Sequence, residues 1–344
     1  MKRVLLTLTF FAAALLVQGQ TVGKLELKET GFGEKKLAKA PKRIYIAEFN
    51  VNYQITYSST SIARGGSEIG GGYRGDAKAT LSVAVPGIDF NELQQITDDV
   101  YQNYIARLKS EGYEVINAET AKGTDLLSGW EKIKGGEISQ AQFPGYLATT
   151  PTGRDYFVRR VTKKGRMKNG IFEYATKLSK QLEGATIVKV NLAIPFVEEA
   201  EGAASKSLRK TIGGLAKVVI RPNFRLAKYE SVQVGKSSPL TVQTNSGYYY
   251  MKSLKDQGQV VQNLKKDVEI SDVFENKKYK ATQKADQDLW GTSNGYFRVF
   301  NYDDREIANT QAIACKPEAF VGGARQVVEA YVKASLDGFL AAAK

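Results

Sequence analysis

The chain contains no histidine and only one cysteine, Cys315, among its 344 residues. Without histidine there is no Ser-His-Asp triad, no histidine-activated cysteine, no H-E-x-x-H zinc site and no histidine proton shuttle. One cysteine also excludes an intramolecular disulfide framework and a thiolate metal site. We therefore expect neither a metal nor a cofactor, and we expect Cys315 to pack as a small apolar residue just before the last helix.

Recognisable catalytic motifs are absent as well. The glycine-rich stretch at residues 65–72 lacks the lysine of a phosphate-binding loop. Carboxylate-only chemistry needs just two acidic residues that the fold brings together. The chain has three adjacent acidic pairs, at Asp98–Asp99, Glu198–Glu199 and Asp303–Asp304. Because sequence neighbours do not converge on a substrate from opposite sides, we expect a non-enzymatic protein and keep a carboxylate-only hydrolase as the third alternative.

The N-terminus has the layout of a secretory signal peptide. Lys2 and Arg3 form a basic start, and an uncharged run follows at residues 4–17. This run is too short for a membrane-spanning helix, and no later stretch is apolar over the length that one needs. The small residue Gly19 then indicates cleavage between Gly19 and Gln20. We expect an exported protein that lies in the periplasm, at the outer membrane or outside the cell.

We predict that export removes residues 1–19, since the basic start, the apolar run and the small residue together form a signal-peptidase substrate. The intact mass of protein from the envelope fraction should correspond to a chain that begins at Gln20. A mass that retains Met1 would contradict this prediction.

The chain is basic, with a formal net charge of +13. In an exported protein this charge favours envelope proteins, anionic lipid or acidic polysaccharide as partners, and we expect no nucleic acid. The lysines are scattered, so a solvated basic surface accounts for most of the charge. One strand concentrates positive charge, and its residues Lys217, Arg221 and Arg225 are the candidate surface for an anionic partner. The sequence leaves the oligomeric state open, a homo-oligomer included.

Two long segments alternate apolar and polar residues with the period of a β-strand. The first runs over residues 45–57 and resumes at 77–85 after the glycine-rich stretch, and the second covers 188–196 and 216–226. Each segment predicts a long amphipathic β-hairpin. We expect both hairpins to pair within one sheet and to pack their apolar faces on helices, which would bury Val51 and Ile220 inside the protein.

Helical periodicity appears at residues 90–110, 171–183 and 320–340. Asp89 caps the first of these helices, and Pro317 with Glu318 begins the last. Because helices and strands alternate, we expect an α/β or α+β domain with a mixed sheet over residues 43–344. Residues 20–42 read as an extended leader. Residues 235–290 read as a less regular insertion with one or two helices, in which Tyr248–Tyr250 pack in a sheet.

The order of the opening elements resembles a known family. The strand from Arg43 to Phe49, the helix that ends at Gly112 and the strand from Tyr113 to Ile116 are similar to the periplasmic domain of the curli-secretion channel subunit (CsgG-like) family, which is related to the N-terminal domain of TolB. The resemblance implies that each subunit contributes its two hairpins to an outer-membrane β-barrel. It also implies that an N-terminal lipidated cysteine anchors the ring of subunits. Here Gln20 stands where that cysteine would be, which puts membrane attachment in doubt.

Two functions from different classes follow. The leading expectation is a non-catalytic envelope protein, a structural or assembly component of a secretion or cell-surface apparatus. The alternative is a soluble periplasmic or secreted binding protein that holds an acidic polymer or partner on the strand of Lys217, Arg221 and Arg225. Strand length does not separate them, because a soluble sheet packed on helices gives the same alternation as a membrane strand. Aromatic residues spread along the first strand, rather than gathered at its ends, favour the soluble fold.

Overall fold

A computed structural model describes most of the chain. The described residues are 22–63, 66–67, 73–74, 77–137, 143–158, 174–200, 217–232, 240–281, 292–294, 297–299 and 311–344. The predicted signal peptide with its cleavage position at Gly19 and Gln20 lies outside them, as does the pair Asp303–Asp304.

Helices and strands alternate along these residues, which places the protein in the α+β class with mixed sheets. The helices are α1 (Glu34–Leu37), α2 (Phe90–Ser110), α3 (Ala118–Lys122), α4 (Ala175–Gln181) and α5 (Pro317–Ala342). The strands of the first half are β1 (Leu27–Phe32), β2 (Arg43–Gln54), β3 (Thr56–Ala63), β4 (Gly66–Ser67), β5 (Tyr73–Arg74), β6 (Ala77–Ala84), β7 (Glu114–Val115), β8 (Glu131–Lys134), β9 (Tyr146–Thr149) and β10 (Asp155–Val158). Those of the second half are β11 (Thr186–Ile194), β12 (Val197–Glu199), β13 (Val219–Pro222), β14 (Arg225–Leu226), β15 (Tyr229–Val232), β16 (Leu240–Gln243), β17 (Asn245–Ser253), β18 (Asp256–Leu264), β19 (Val268–Glu269), β20 (Tyr279–Lys280), β21 (Thr292–Asn294), β22 (Phe297–Val299) and β23 (Gln311–Ala312).

The centre of the fold is a seven-stranded sheet in the order β1-β18-β17-β11-β2-β7, with β9 beside the second half of β2. β2 runs parallel to β11 and to β7, and the other neighbours are antiparallel. The pairing of β2 with β11 shifts by one residue between Val188 and Lys189, which marks a β-bulge. Because β2 and β11 are parallel, their carboxyl ends lie at the same end of the sheet.

One face of this sheet carries the main core under α2 and α5. Phe49 and Val51 of β2 pack against apolar residues of both helices, and both side chains are fully buried. Asp89 caps α2 by accepting a hydrogen bond from the backbone NH of Asn91, and Pro317 occupies the first turn of α5. The predicted helices at 90–110 and 320–340 are confirmed. Cys315 lies partly buried against this core, just before α5, as expected.

The opposite face is covered by shorter helices. α3 and α4 pack on Tyr45, Ala47 and Ile187, and Gly184 follows α4 at a φ of 82° that favours glycine. The predicted helix at 171–183 therefore exists, although residues 171–173 lie outside the described part of the chain. Beyond α4 the same face carries polar residues of β2 and β11, and a small cluster of Tyr146, Ala193, Val232 and Val242 closes it.

Three expectations differ from the structure. Residues 235–290 contain no helix within their described part; β17 and β18 are full members of the central sheet. The folded part begins before Arg43, because β1 forms the edge of that sheet beside β18. Each predicted hairpin is split, since β2 and β11 pair with each other, whereas the strands that return from the predicted tips lie in separate small sheets.

Burial inside the protein agrees with expectation at the two positions singled out. Val51 and Ile220 are both fully buried in the main core. The tyrosine triplet also packs in a sheet: Tyr248 stacks on Phe339 of α5 with 4.1 Å between the ring centroids and an angle of 3°. These side chains obtain their partners from elements distant in the sequence.

Candidate functional site

Two hairpins continue from the central sheet at the end where β2 and β11 finish. β2 continues through Ile55 into β3. β3 pairs with β6 in antiparallel register, with Thr56 opposite Ala84 at the base, and we call these two strands the first hairpin. β11 continues into β12, which pairs with β13, and these two strands are the second hairpin. Because β2 and β11 are parallel neighbours, both hairpins start side by side. The fold therefore places the bases of both hairpins next to each other, with Val83 of the first and Ile220 of the second buried in the main core.

Each hairpin gains a third strand from a later part of the chain. β20 pairs with β13 of the second hairpin, and β23 pairs with β6 of the first. Backbone hydrogen bonds continue both pairings, from Ala281 N to Val218 O at 3.1 Å and from Ile313 N to Ala84 O at 2.8 Å. β20 and β23 were not recognised in the sequence, because strands of two residues carry no periodicity.

The two hairpins also meet at their bases. The side chain of Tyr57 in β3 lies within electrostatic reach of the Glu199 carboxylate in β12. Burial, reinforced by the carboxylates of Glu199 and Glu230, raises the pKa of Tyr57 to about 12. Tyr57 therefore stays protonated at neutral pH and couples the first hairpin to the second.

Hydroxyl groups cover one face of the first hairpin. Ser58 lies opposite Ser82 and Thr60 opposite Thr80. The hydroxyls of Thr60 and Thr80 are 3.0 Å apart, and Ser82 donates a hydrogen bond of 2.9 Å to Ser58. Such cross-strand hydroxyl pairs stabilise an antiparallel pair and fix its register. The first hairpin is therefore held by its own contacts beyond the central sheet.

The candidate anionic-partner surface does not assemble as expected. Arg225 is buried, and its guanidinium forms ion pairs with Glu230 and with Asp267, the latter at 3.0 Å between Nε and Oδ2. It also donates 3.0 Å hydrogen bonds to the carbonyl oxygens of Val197 and Asn223. A guanidinium that binds two carboxylates and two carbonyl oxygens within the fold is not available to bind a polymer at the surface.

The remaining two residues of that strand lie at the surface. Lys217 is exposed, and Arg221 pairs with Glu198, whose other carboxylate oxygen accepts a 2.6 Å hydrogen bond from Asn223. Burial raises the pKa of Glu198, but the hydrogen bonds from Asn223 and Arg221 outweigh it and lower that pKa overall. The predicted alternation of exposed and buried residues does not hold over this strand, because Val218, Val219 and Ile220 are all buried. β13 ends at Pro222, and Arg225 beyond it turns inward.

Asp98 and Asp99, the first of the three acidic pairs, are engaged in contacts within the fold. Asp98 accepts hydrogen bonds from the backbone NH and the hydroxyl of Thr152, both at 2.7 Å. Asp99 pairs with Arg325 of α5 at 2.7 Å, and this arginine is the first cause of the lowered pKa of Asp99. Among the described residues no group of three metal-binding side chains comes together. In the same part of the chain, no helix has the length and apolar character to cross a membrane.

Comparison with known proteins gives no assignment: no family model, no curated protein and no solved structure matches this chain.

Proposed function

We propose that this chain is a non-catalytic exported envelope protein that serves as a structural or assembly component of a secretion or cell-surface apparatus. One observation carries the proposal. Two hairpins continue from parallel neighbouring strands at the same end of the central sheet, and the carboxylate of Glu199 in the second hairpin acts on the hydroxyl of Tyr57 in the first. Elements that extend together from a rigid sheet are suited to bind neighbouring subunits or an envelope surface.

The resemblance to the curli-secretion channel subunit family supports the same proposal, because there too the functional elements are two hairpins per subunit. The alternative, a soluble binder of an acidic polymer, has less support. Its candidate surface loses Arg225 to the interior, and Arg221 is already paired with Glu198. Envelope proteins are therefore the favoured partners, and anionic lipid or polysaccharide is second.

We predict that the protein assembles through its hairpins. The mature chain should stay with the envelope fraction through a high-salt wash, and the purified protein should have several times the mass of one mature chain by light scattering. Replacing residues 64–76 by an Asn-Gly turn should abolish this assembly and leave the melting temperature of the domain unchanged, because the turn suits a two-residue hairpin loop.

A matched control lengthens the turn at Leu254 and Lys255, which joins β17 to β18. This turn lies at the opposite end of the central strands from the two hairpins. This variant should assemble like the wild type. A monomeric wild type that is released by salt would contradict the proposal and favour the soluble binder.

A further inference from the structure

Four asparagines lie in one row across the central sheet. Asn50 of β2 is opposite Asn191 of β11, Asn191 is opposite Asn245 of β17, and Asn245 is opposite Asn263 of β18. All four are partly exposed. Neighbouring strands are about 4.8 Å apart, so the four amides span roughly 14 Å. Asparagine is disfavoured in strands, which means that strand propensity does not explain the row.

The row crosses one face of the sheet between α4 and a small apolar cluster, and we call this strip the trough. On one side lies α4, where the hydroxyl of Tyr174 donates a 2.6 Å hydrogen bond to Glu48. On the other side lies the small apolar cluster that includes Tyr146 and Val242. The ring of Tyr249 lies over Gly247, next to the row. A Cβ at position 247 would come within 2.5 Å of this ring, so the position requires glycine.

The trough carries no unbalanced charge from its two ionised side chains. Lys189 and Glu48 pair at 3.3 Å, and Glu48 also accepts a 2.8 Å hydrogen bond from Asn191. Burial raises the pKa of Glu48, but Lys189, Tyr174 and Asn191 outweigh it and lower that pKa overall. A neutral ligand therefore suits this trough better than the acidic polymers that the net charge of the chain suggests.

The amides keep hydrogen-bonding capacity. Asn50 donates to the Asn191 side-chain oxygen at 2.8 Å, and Asn263 donates to Thr30 at 3.0 Å. The side chain of Asn245 makes no hydrogen bond with any residue of the described chain, and the side-chain oxygen of Asn50 accepts none there. Each amide offers both a donor and an acceptor.

From this geometry we propose that the asparagine row binds an extended neutral glycan. Sugar hydroxyls both donate and accept hydrogen bonds, which matches an amide, and the sugar units of a β-linked chain repeat at a length close to the strand spacing. An extended polypeptide fits less well, since it binds at sheet edges and its side chains repeat at about 6.6 Å. This inference does not depend on the proposed assembly role.

The experiment titrates the full mature chain with three neutral hexasaccharides, of β-linked glucose, β-linked N-acetylglucosamine and α-linked glucose, and with an acidic hexamer of galacturonate. At least one neutral hexamer should bind and shift the side-chain amide NMR signals of Asn50 and Asn245. Asn245→Ala should weaken binding about tenfold, the loss of one hydrogen bond, and adding Asn50→Ala should weaken it about tenfold more.

Asn103→Ala is the matched control, because Asn103 is an exposed asparagine on α2, outside the trough. It should leave the affinity unchanged, and Asn245→Ala should keep the wild-type melting temperature, because no side-chain hydrogen bond of Asn245 is lost within the described chain. The proposal is overturned if none of the neutral hexamers binds, if binding is indifferent to Asn50 and Asn245, or if the galacturonate hexamer binds more tightly through the same residues.

Discussion

Val51→Asp is expected to lower the free energy of unfolding by about 4 kcal/mol, because it places a carboxylate among apolar side chains with no water to solvate it. Val51 is fully buried in β2, between β11 and β9. Ile220→Asp should have a similar effect, since Ile220 is fully buried in β13. Urea unfolding followed by circular dichroism measures both.

Ile62→Asp provides the control for this experiment. Ile62 lies further out on the first hairpin and is 49% exposed, so its replacement should change the free energy of unfolding by no more than about 0.5 kcal/mol. If Val51→Asp and Ile220→Asp unfold like the wild type but lose membrane association, the hairpins insert in lipid. The burial of Val51 and Ile220 in the main core would then be wrong.

Periodicity predicted the elements that bury a continuous apolar stripe. The helices α2 and α5 and the strands β2 and β11 were found from sequence, because each carries its core-facing residues at a regular spacing. Their partners could not be found in this way. β2 pairs with β11 over a separation of about 140 residues along the chain, and no local pattern records such a contact.

β17 and β18 escaped recognition because polar residues interrupt the apolar positions that face their helix. Ser246 and Gln262 are buried below α5, and the hydroxyl of Tyr331 donates a 2.7 Å hydrogen bond to the backbone oxygen of Gln262. α5 approaches closely through Gly338, where a Cβ would lie 2.5 Å from the Gln262 amide. Close packing of a helix on a strand thus replaced the apolar alternation that marks a buried face.

The candidate sites show the same limit. Alternation placed Arg225 on the polar face of its strand, but β13 ends at Pro222 and the chain turns before β14. The carboxylates that hold Arg225 come from β15 and from the segment before β19, and only the folded chain brings them together. The asparagine row was missed for a similar reason, since its four members belong to four separate strands.

Arg225→Met is expected to cost about 3–5 kcal/mol of unfolding free energy at neutral pH, the range for breaking a buried ion pair by removing one partner. The Arg225 side chain is 8% exposed, and its loss leaves the largely buried carboxylate of Glu230 without a cation. Measurement is again by urea unfolding, at about pH 7.5 and about pH 4.5, on either side of the range in which a buried glutamate titrates.

The pH dependence gives this prediction its sharpest test. Burial already raises the pKa of Glu230 in the wild type, although Arg225 opposes the shift. A carboxyl whose pKa is raised by folding contributes most stability below its ordinary pKa, and the contribution is lost as the pH rises through the folded value. Without Arg225 the pKa rises further, so the variant should lose more stability at pH 7.5 than at pH 4.5. Adding Glu230→Gln should reduce this pH dependence and recover part of the lost free energy of unfolding, while the ion pair with Asp267 and the hydrogen bonds to Val197 and Asn223 remain lost. An equal loss at both pH values in the single variant would show that Arg225 acts through its hydrogen bonds to Val197 and Asn223 rather than by compensating the charge of Glu230.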